Sequence, residues 1–242
     1  MTTACGPVAV VTGGARRLGR HLCEVLAGRG YRVVIVYRSS EADAAGLVGD
    51  LLAQGAQARA IRADIGIRDD VQRVFEDVAA TEGQVDLLLN NVGNYNPQDV
   101  TKLDPEVWDA TLAANLSGAY YCCYHALRVM PDGGQIISIG MAGLEGMRAN
   151  RRGADYYVSK TGLLSITRSL AAGYADRHIR VNMVSPGQLD NSIDLPPPDK
   201  IGVDVPLGRA GTMRDISQAV EYLLDAPYVT GVNIDVSGGY RL

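Results

Sequence analysis

Short runs of apolar, mostly β-branched residues recur along the chain, each closed by glycine or polar residues and followed by a longer stretch of amphipathic pattern. PVAVVTGG at 7–14, YRVVIVYR at 31–38, QARAIRAD at 57–64, VDLLLNNVG at 85–93, GQIISIG at 134–140, IRVNMVSPG at 179–187 and GVNIDVSGG at 231–239 read as strands, and the intervals between them mostly as helices. Several strands are apolar throughout instead of alternating, which a parallel sheet requires when helices cover both of its faces. The pattern predicts an α/β protein with a doubly wound parallel sheet, residues 1–242 forming a single domain with no linker. In such sheets ligands bind beyond the carboxyl ends of the strands.

Composition narrows this picture without changing it. Apolar residues make up 47% and charged residues 21% of the 242, as in an ordinary soluble globular chain, and a net charge of −4 argues against nucleic acid as a partner. No run of about 18 apolar residues would span a bilayer, and MTTACGPVAVVTGG lacks the cationic start of a signal peptide, so a cytoplasmic protein is expected. Cys5, Cys23, Cys122 and Cys123 lack CxxC spacing and read as buried thiols; His21, His125 and His178 are too scattered for a metal site. LPPPD at 195–199 reads as a loop, a candidate lid over a substrate.

The first strand runs into VTGGARRLGR, where Gly13, Gly14 and Gly19 permit a tight turn and close backbone approach, and the following helix start offers unpaired N–H groups. These features suit a dinucleotide phosphate, with Gly13, Ala15, Arg16, Arg17, Leu18 and Gly19 as the contacting stretch. An acidic residue after the second strand would select NADH; VVIVYRSS offers Tyr37, Arg38, Ser39 and Ser40 instead, a cation and hydroxyls that suit the 2′-phosphate of NADP(H). A second chemical signal lies in YYVSK, where Tyr156 and Lys160 fall on one helical face a turn apart. A cation so placed brings a phenol of pKa near 10 into useful range for proton transfer.

Taken together these motifs resemble the short-chain dehydrogenase/reductase family, in its order and over nearly the whole chain. Thr12 to Gly19 is similar to the family's TGxxxGxG loop, Asp64 and Ile65 to its adenine-contacting pair, and NNVG with Asn91 and Gly93 to its NNAG. Asn115 matches its catalytic asparagine, Tyr156 and Lys160 its YxxxK, and SPG with Pro186 and Gly187, followed by Leu189, its nicotinamide loop. The resemblance implies a Rossmann fold, an NADP-dependent oxidoreductase acting on C=O, Tyr156 as proton donor, Lys160 as its electrostatic partner, Asn115 as anchor of a water, and a homotetramer or homodimer.

Three positions depart from the family: Arg17 at the loop's middle glycine, Val92 for alanine, and Met141 where the catalytic serine belongs, in a segment slightly longer than usual before Tyr156. Arg17 and YRSS resemble the pteridine reductase branch, whose aspartate at 141 is also missing. A thioether cannot donate a hydrogen bond, and losing one such donor typically slows a reaction about 10²- to 10³-fold without abolishing it. The expected function is an NADPH-dependent reductase of a cyclic or aromatic ketone. Pteridine-like C=N reduction and a catalytically silent NADP-binding regulatory or assembly protein are the alternatives. An enoyl reductase would need a tyrosine at Gly153. The substrate loops are expected at 93–98, 141–155 and 187–200, with Arg148, Arg151 and Arg152 as candidates to receive an acidic partner.

Overall fold

The protein is described by a computed structural model covering residues 6–146, 148–190 and 205–240. Its strands are β1 (Val8–Thr12), β2 (Arg32–Tyr37), β3 (Ala58–Arg62), β4 (Leu87–Asn90), β5 (Gln135–Ile139), β6 (Arg180–Pro186) and β7 (Asn233–Val236). The helices are α1 (Arg17–Gly28), α2 (Glu41–Ala53), α3 (Arg68–Glu82), α4 (Pro105–Leu112), α5 (Gly118–Val129), α6 (Ala154–Gly173) and α7 (Met213–Asp225). Every strand expected from the sequence is present. They form one seven-stranded sheet, ordered β3-β2-β1-β4-β5-β6-β7 and parallel at every pairing.

The continuous apolar runs are explained by what lies on either side of the sheet. Val8, Val10, Leu88 and Ile136 point into one core with Phe75 of α3 and Cys122 of α5, while Ala9, Val11, Leu87, Leu89 and Ile137 enter the other with Leu22 of α1 and Val220 of α7. Successive side chains alternate between two buried faces, so both parities must be apolar. Cys23, Cys122 and Cys123 are buried free thiols, and burial raises the pKa of each, as expected of inert core residues; Cys5 lies outside the described residues.

The sheet order reverses direction between β1 and β4, which opens a crevice at their carboxyl ends. Helices α4 and α5 are joined without a break through a π-helical turn, Ala113–Ser117, a feature for which the sequence carries no periodic signal. Among the described residues, no helix is long and apolar enough to cross a membrane.

Candidate active site

The loop after β1 is built around backbone. It turns through Gly13 at φ +62°, and a Cβ on Gly19 would collide with the Gly13 carbonyl, so glycine at 19 lets α1 close onto the turn. The first turn of α1 has no side-chain cap and no acidic residue, which leaves its N–H groups available to an anion. Arg17 adopts φ +48° at the place of the family's glycine, a left-handed conformation in which a side chain is strained.

In front of this loop is a cavity of about 190 Å³, walled by Gly13, Ala15 and Arg16 on one side, Tyr37 to Ser40 on another, and Asp64 and Ile65 on a third. Seven of the residues expected to hold the cofactor thus meet at one space: Gly13, Ala15, Arg16, Arg38, Ser39, Asp64 and Ile65. Leu18 and Gly19 support the loop from α1, and Arg17 is exposed outside the wall. Val36, Ala63, Val92, Asn94 and Ala114 also face the cavity. Apart from Val92, which sits in NNVG, nothing in their residue types marks them. Arg38 approaches Asp64 at 3.5 Å and Arg16 binds Asp43 at 2.6 Å, both pairs at the surface. Exposed pairs contribute only about 0–1 kcal/mol, so either cation can exchange its carboxylate for a phosphate.

Across the crevice the order comes from side chains. Lys160 is 1% exposed, and its Nζ donates to the carbonyls of Ile139 at 2.7 Å and Val92 at 3.3 Å. Burial lowers its pKa from 10.5 to about 8. One turn earlier on α6, Tyr156 is half-buried, with its ring centre 5.6 Å from that Nζ. Gly93 is small for the same reason: a Cβ there would lie 3.3 Å from Nζ.

Asn115, in the π-helical turn, is fully buried. Its Oδ1 accepts from the Asn94 N–H at 2.7 Å, and its Nδ2 donates to the Asn94 carbonyl at 2.9 Å and to Ser159 Oγ at 3.2 Å. Ser159 in turn donates to the Tyr156 carbonyl at 2.7 Å. The side chain of Asn115 is therefore a strut between the 93–98 loop and α6. Asn91 has a similar part: its amide donates to the carbonyls of Thr12 and Gly13, fastening β4 to the phosphate loop and away from the cavity wall.

Met141 follows β5, half-buried, and leans on a cluster containing Leu144, Tyr157, Leu163, Leu164 and Met183. Neither of the two nearby serines, Ser138 and Ser185, stands in its place. Ser138 is buried within β5, and the buried Ser185 donates to Asn233 Oδ1 at 2.6 Å. Two of the three arginines of the 141–155 loop, Arg151 and Arg152, reach across to the segment that follows Asn94. Arg151 binds Asp99 at 2.7 Å and Arg152 donates to the Pro97 carbonyl, while Val100 N–H donates to Arg151 O and Gly153 N–H to Gln98 O. The two loops are zipped together.

Pro186 ends β6, and Gly187 packs against Ser237, where a Cβ would stand 2.8 Å from its Cα. Leu189 is 8% exposed and joins the core beside Gly211. The expected lid at 195–199 lies outside the described residues.

A family model described as enoyl-(acyl carrier protein) reductase matches residues 13–241. A 3-oxoacyl-(acyl-carrier-protein) reductase of Bos taurus is 36% identical over 239 residues, spanning 97% of this chain and 98% of its own. The chain belongs to the short-chain dehydrogenase/reductase family. Two solved members have the same fold. A blue fluorescent protein from a metagenomic library, in complex with NADPH, superposes with a TM-score of 0.92 at 34% identity over 98% of both chains. A landomycin C-6 ketoreductase with bound NADP and rabelomycin superposes with a TM-score of 0.87 at 30% identity, over 98% of this chain and 96% of its own. The short-chain dehydrogenase/reductase described here keeps glycine at 153, where the enoyl-reducing branch would need tyrosine, in a left-handed conformation at φ +75°.

Proposed function

We propose that this short-chain dehydrogenase/reductase is an NADPH-dependent reductase of ketones, acting on a cyclic or aromatic substrate through Tyr156 and Lys160. The observation that carries the reading is the pairing of Tyr156 with a fully buried Lys160 across the crevice from the cation-lined cavity. Reductase relatives and neighbours solved with NADPH or NADP support it.

The residues present fit the cofactor. The uncapped start of α1 and the glycines before it suit a pyrophosphate, and Arg16, Arg38, Ser39 and Ser40 suit a 2′-phosphate. When bound, NADPH supplies a hydride. Tyr156 gives its phenolic proton to the substrate's oxygen. Lys160, held by two carbonyls and, among the described residues, paired with no acid, keeps its charge at neutral pH and stabilises the phenolate left behind. Asn115 and Ser159 hold the backbone that carries both groups. Met141 adds apolar surface in place of a hydroxyl, which favours a flat ring that needs only one donor from the protein.

The test is NADPH consumption against cyclic and aromatic ketones with the Tyr156→Phe variant in parallel. A fall of roughly 10² to 10⁴ in kcat is expected. Undiminished turnover in the variant would remove Tyr156 from the mechanism, and tight NADPH binding without any turnover would favour a silent cofactor-binding protein.

A further inference from the structure

The residue after Asn94 is a tyrosine with an unusual setting. Tyr95 is 37% exposed, although large aromatic side chains are usually buried more deeply. Its ring meets that of Tyr156 edge-on, with centres 5.0 Å apart and planes at 69°. On another side it lies against Gly153, where a Cβ would stand 2.9 Å from its Cε2.

Exposure does not leave the segment loose. Asn115 grips both the N–H and the carbonyl of the preceding residue, at 2.7 and 2.9 Å. A few residues later the chain is pinned by Gly153 N–H to Gln98 O, at 2.9 Å, and by Val100 N–H to Arg151 O, at 2.8 Å. An exposed ring on a segment anchored at both ends is oriented for a purpose other than filling the core. Edge-to-face contact restrains the neighbouring phenol, and the exposed part of Tyr95 lies beside the proton donor.

We propose that Tyr95 is the positioning residue for the Tyr156 ring and forms an aromatic wall of the substrate site, and that residue 153 is glycine because any side chain there would displace it. This rests on the proposed role of Tyr156. The role is assigned to the ring of Tyr95. The glycine at 153 therefore serves two demands at once: the left-handed backbone at the start of α6 and the space taken by Tyr95.

The experiment is steady-state reduction of 1-tetralone and of 2-butanone with NADPH by the wild type, Tyr95→Phe, Tyr95→Leu, Gly153→Ala and the Tyr95→Leu/Gly153→Ala pair, with Tyr156→Phe as reference. Tyr95→Phe keeps the ring and should hold kcat within about twofold. Tyr95→Leu should lower kcat roughly 10- to 100-fold on both ketones, the scale of a small misplacement of a catalytic group, and raise KM for 1-tetralone more than for 2-butanone. Gly153→Ala should reproduce the loss in kcat, and the double variant should be no worse than the poorer single one, since both changes remove one contact. If Gly153→Ala does not fold, the Phe and Leu variants at 95 decide alone, because a ring this exposed contributes little to the core. Wild-type kcat in Tyr95→Leu, an equal loss in Tyr95→Phe, or losses that multiply in the double variant would overturn the proposal. Those results together with an inactive Tyr156→Phe would leave the proposed function standing. Undiminished turnover in Tyr156→Phe would remove that function itself.

Discussion

The carboxyl edge of the sheet has two halves that are ordered by different means. At β1 to β3 the cavity is shaped by glycines, main-chain groups and exposed cations paired with carboxylates near the surface. At β4 to β6 the working groups are a buried lysine on two carbonyls, a fully buried asparagine and two loops tied to each other. Holding a charged ligand requires donors that can close around it. Moving a proton requires groups fixed before the substrate arrives, because a misplacement of about 1 Å can slow a reaction by about 10². The family's departures that bear on chemistry, Met141 and the loop that follows it, accordingly fall in the second half.

The sharpest test of that contrast is the buried cation. The pKa of Lys160 is lowered from 10.5 to about 8, so the folded state is penalised while the lysine is charged in both states, and the penalty lifts as pH rises from about 8 to 10.5. At about 1.4 kcal/mol per pH unit, the wild type should gain roughly 3 kcal/mol of unfolding free energy relative to Lys160→Met across that window. Urea titrations of both proteins at each pH measure it, and parallel curves would mean that the lysine is not desolvated.

On the cofactor side, Arg38→Leu should weaken NADPH binding by roughly 10- to 100-fold, the scale of a charge-assisted hydrogen bond. NADH should be held within about twofold, as read by fluorescence titration. Equal weakening of both would show that Arg38 orders the loop instead of reading the phosphate. Met141→Ser restores a hydroxyl and should raise kcat severalfold on a ketone with no donor of its own. It should also lower stability by about 1–3 kcal/mol, because the thioether leaves the cluster around Leu163. The smallest effect belongs to Arg17, at φ +48°: Arg17→Gly should be about 1 kcal/mol more stable than Arg17→Ala, since only glycine relieves the left-handed backbone.

Much of this was legible in the sequence, for reasons that differ between the halves. The strands announced themselves because two buried faces leave no room for polar positions, as in Val8 to Val11. The phosphate loop did so because Gly13 and Gly19 are constrained by close backbone approach. The task of Asn115 was not legible, since its partner Asn94 is remote in sequence and the π-helical turn that aims it has no repeat of its own. Arg151 and Arg152 read as free positive charge because Asp99 and the Pro97 carbonyl reach them only across two loops. The packing of Leu189 into the core was not legible either, since its motif marks it only as part of a loop.

The π-helical turn between α4 and α5 has a consequence for how this chain can change over generations. A helix that carries one surplus residue would be more regular without it, so deletion within 113–117 is the change that local helix geometry favours. A π-turn absorbs its surplus residue locally, so losing one residue and returning the turn to α-helix would leave the helix beyond it in nearly the same orientation. Cys122 and Leu127 of α5 would keep facing the sheet, and what would be lost is the bulge that aims Asn115 at Asn94. Geometry and linkage therefore pull in opposite directions at this turn: its repair would spare the core and cost the tie that Asn115 makes between the 93–98 loop and α6.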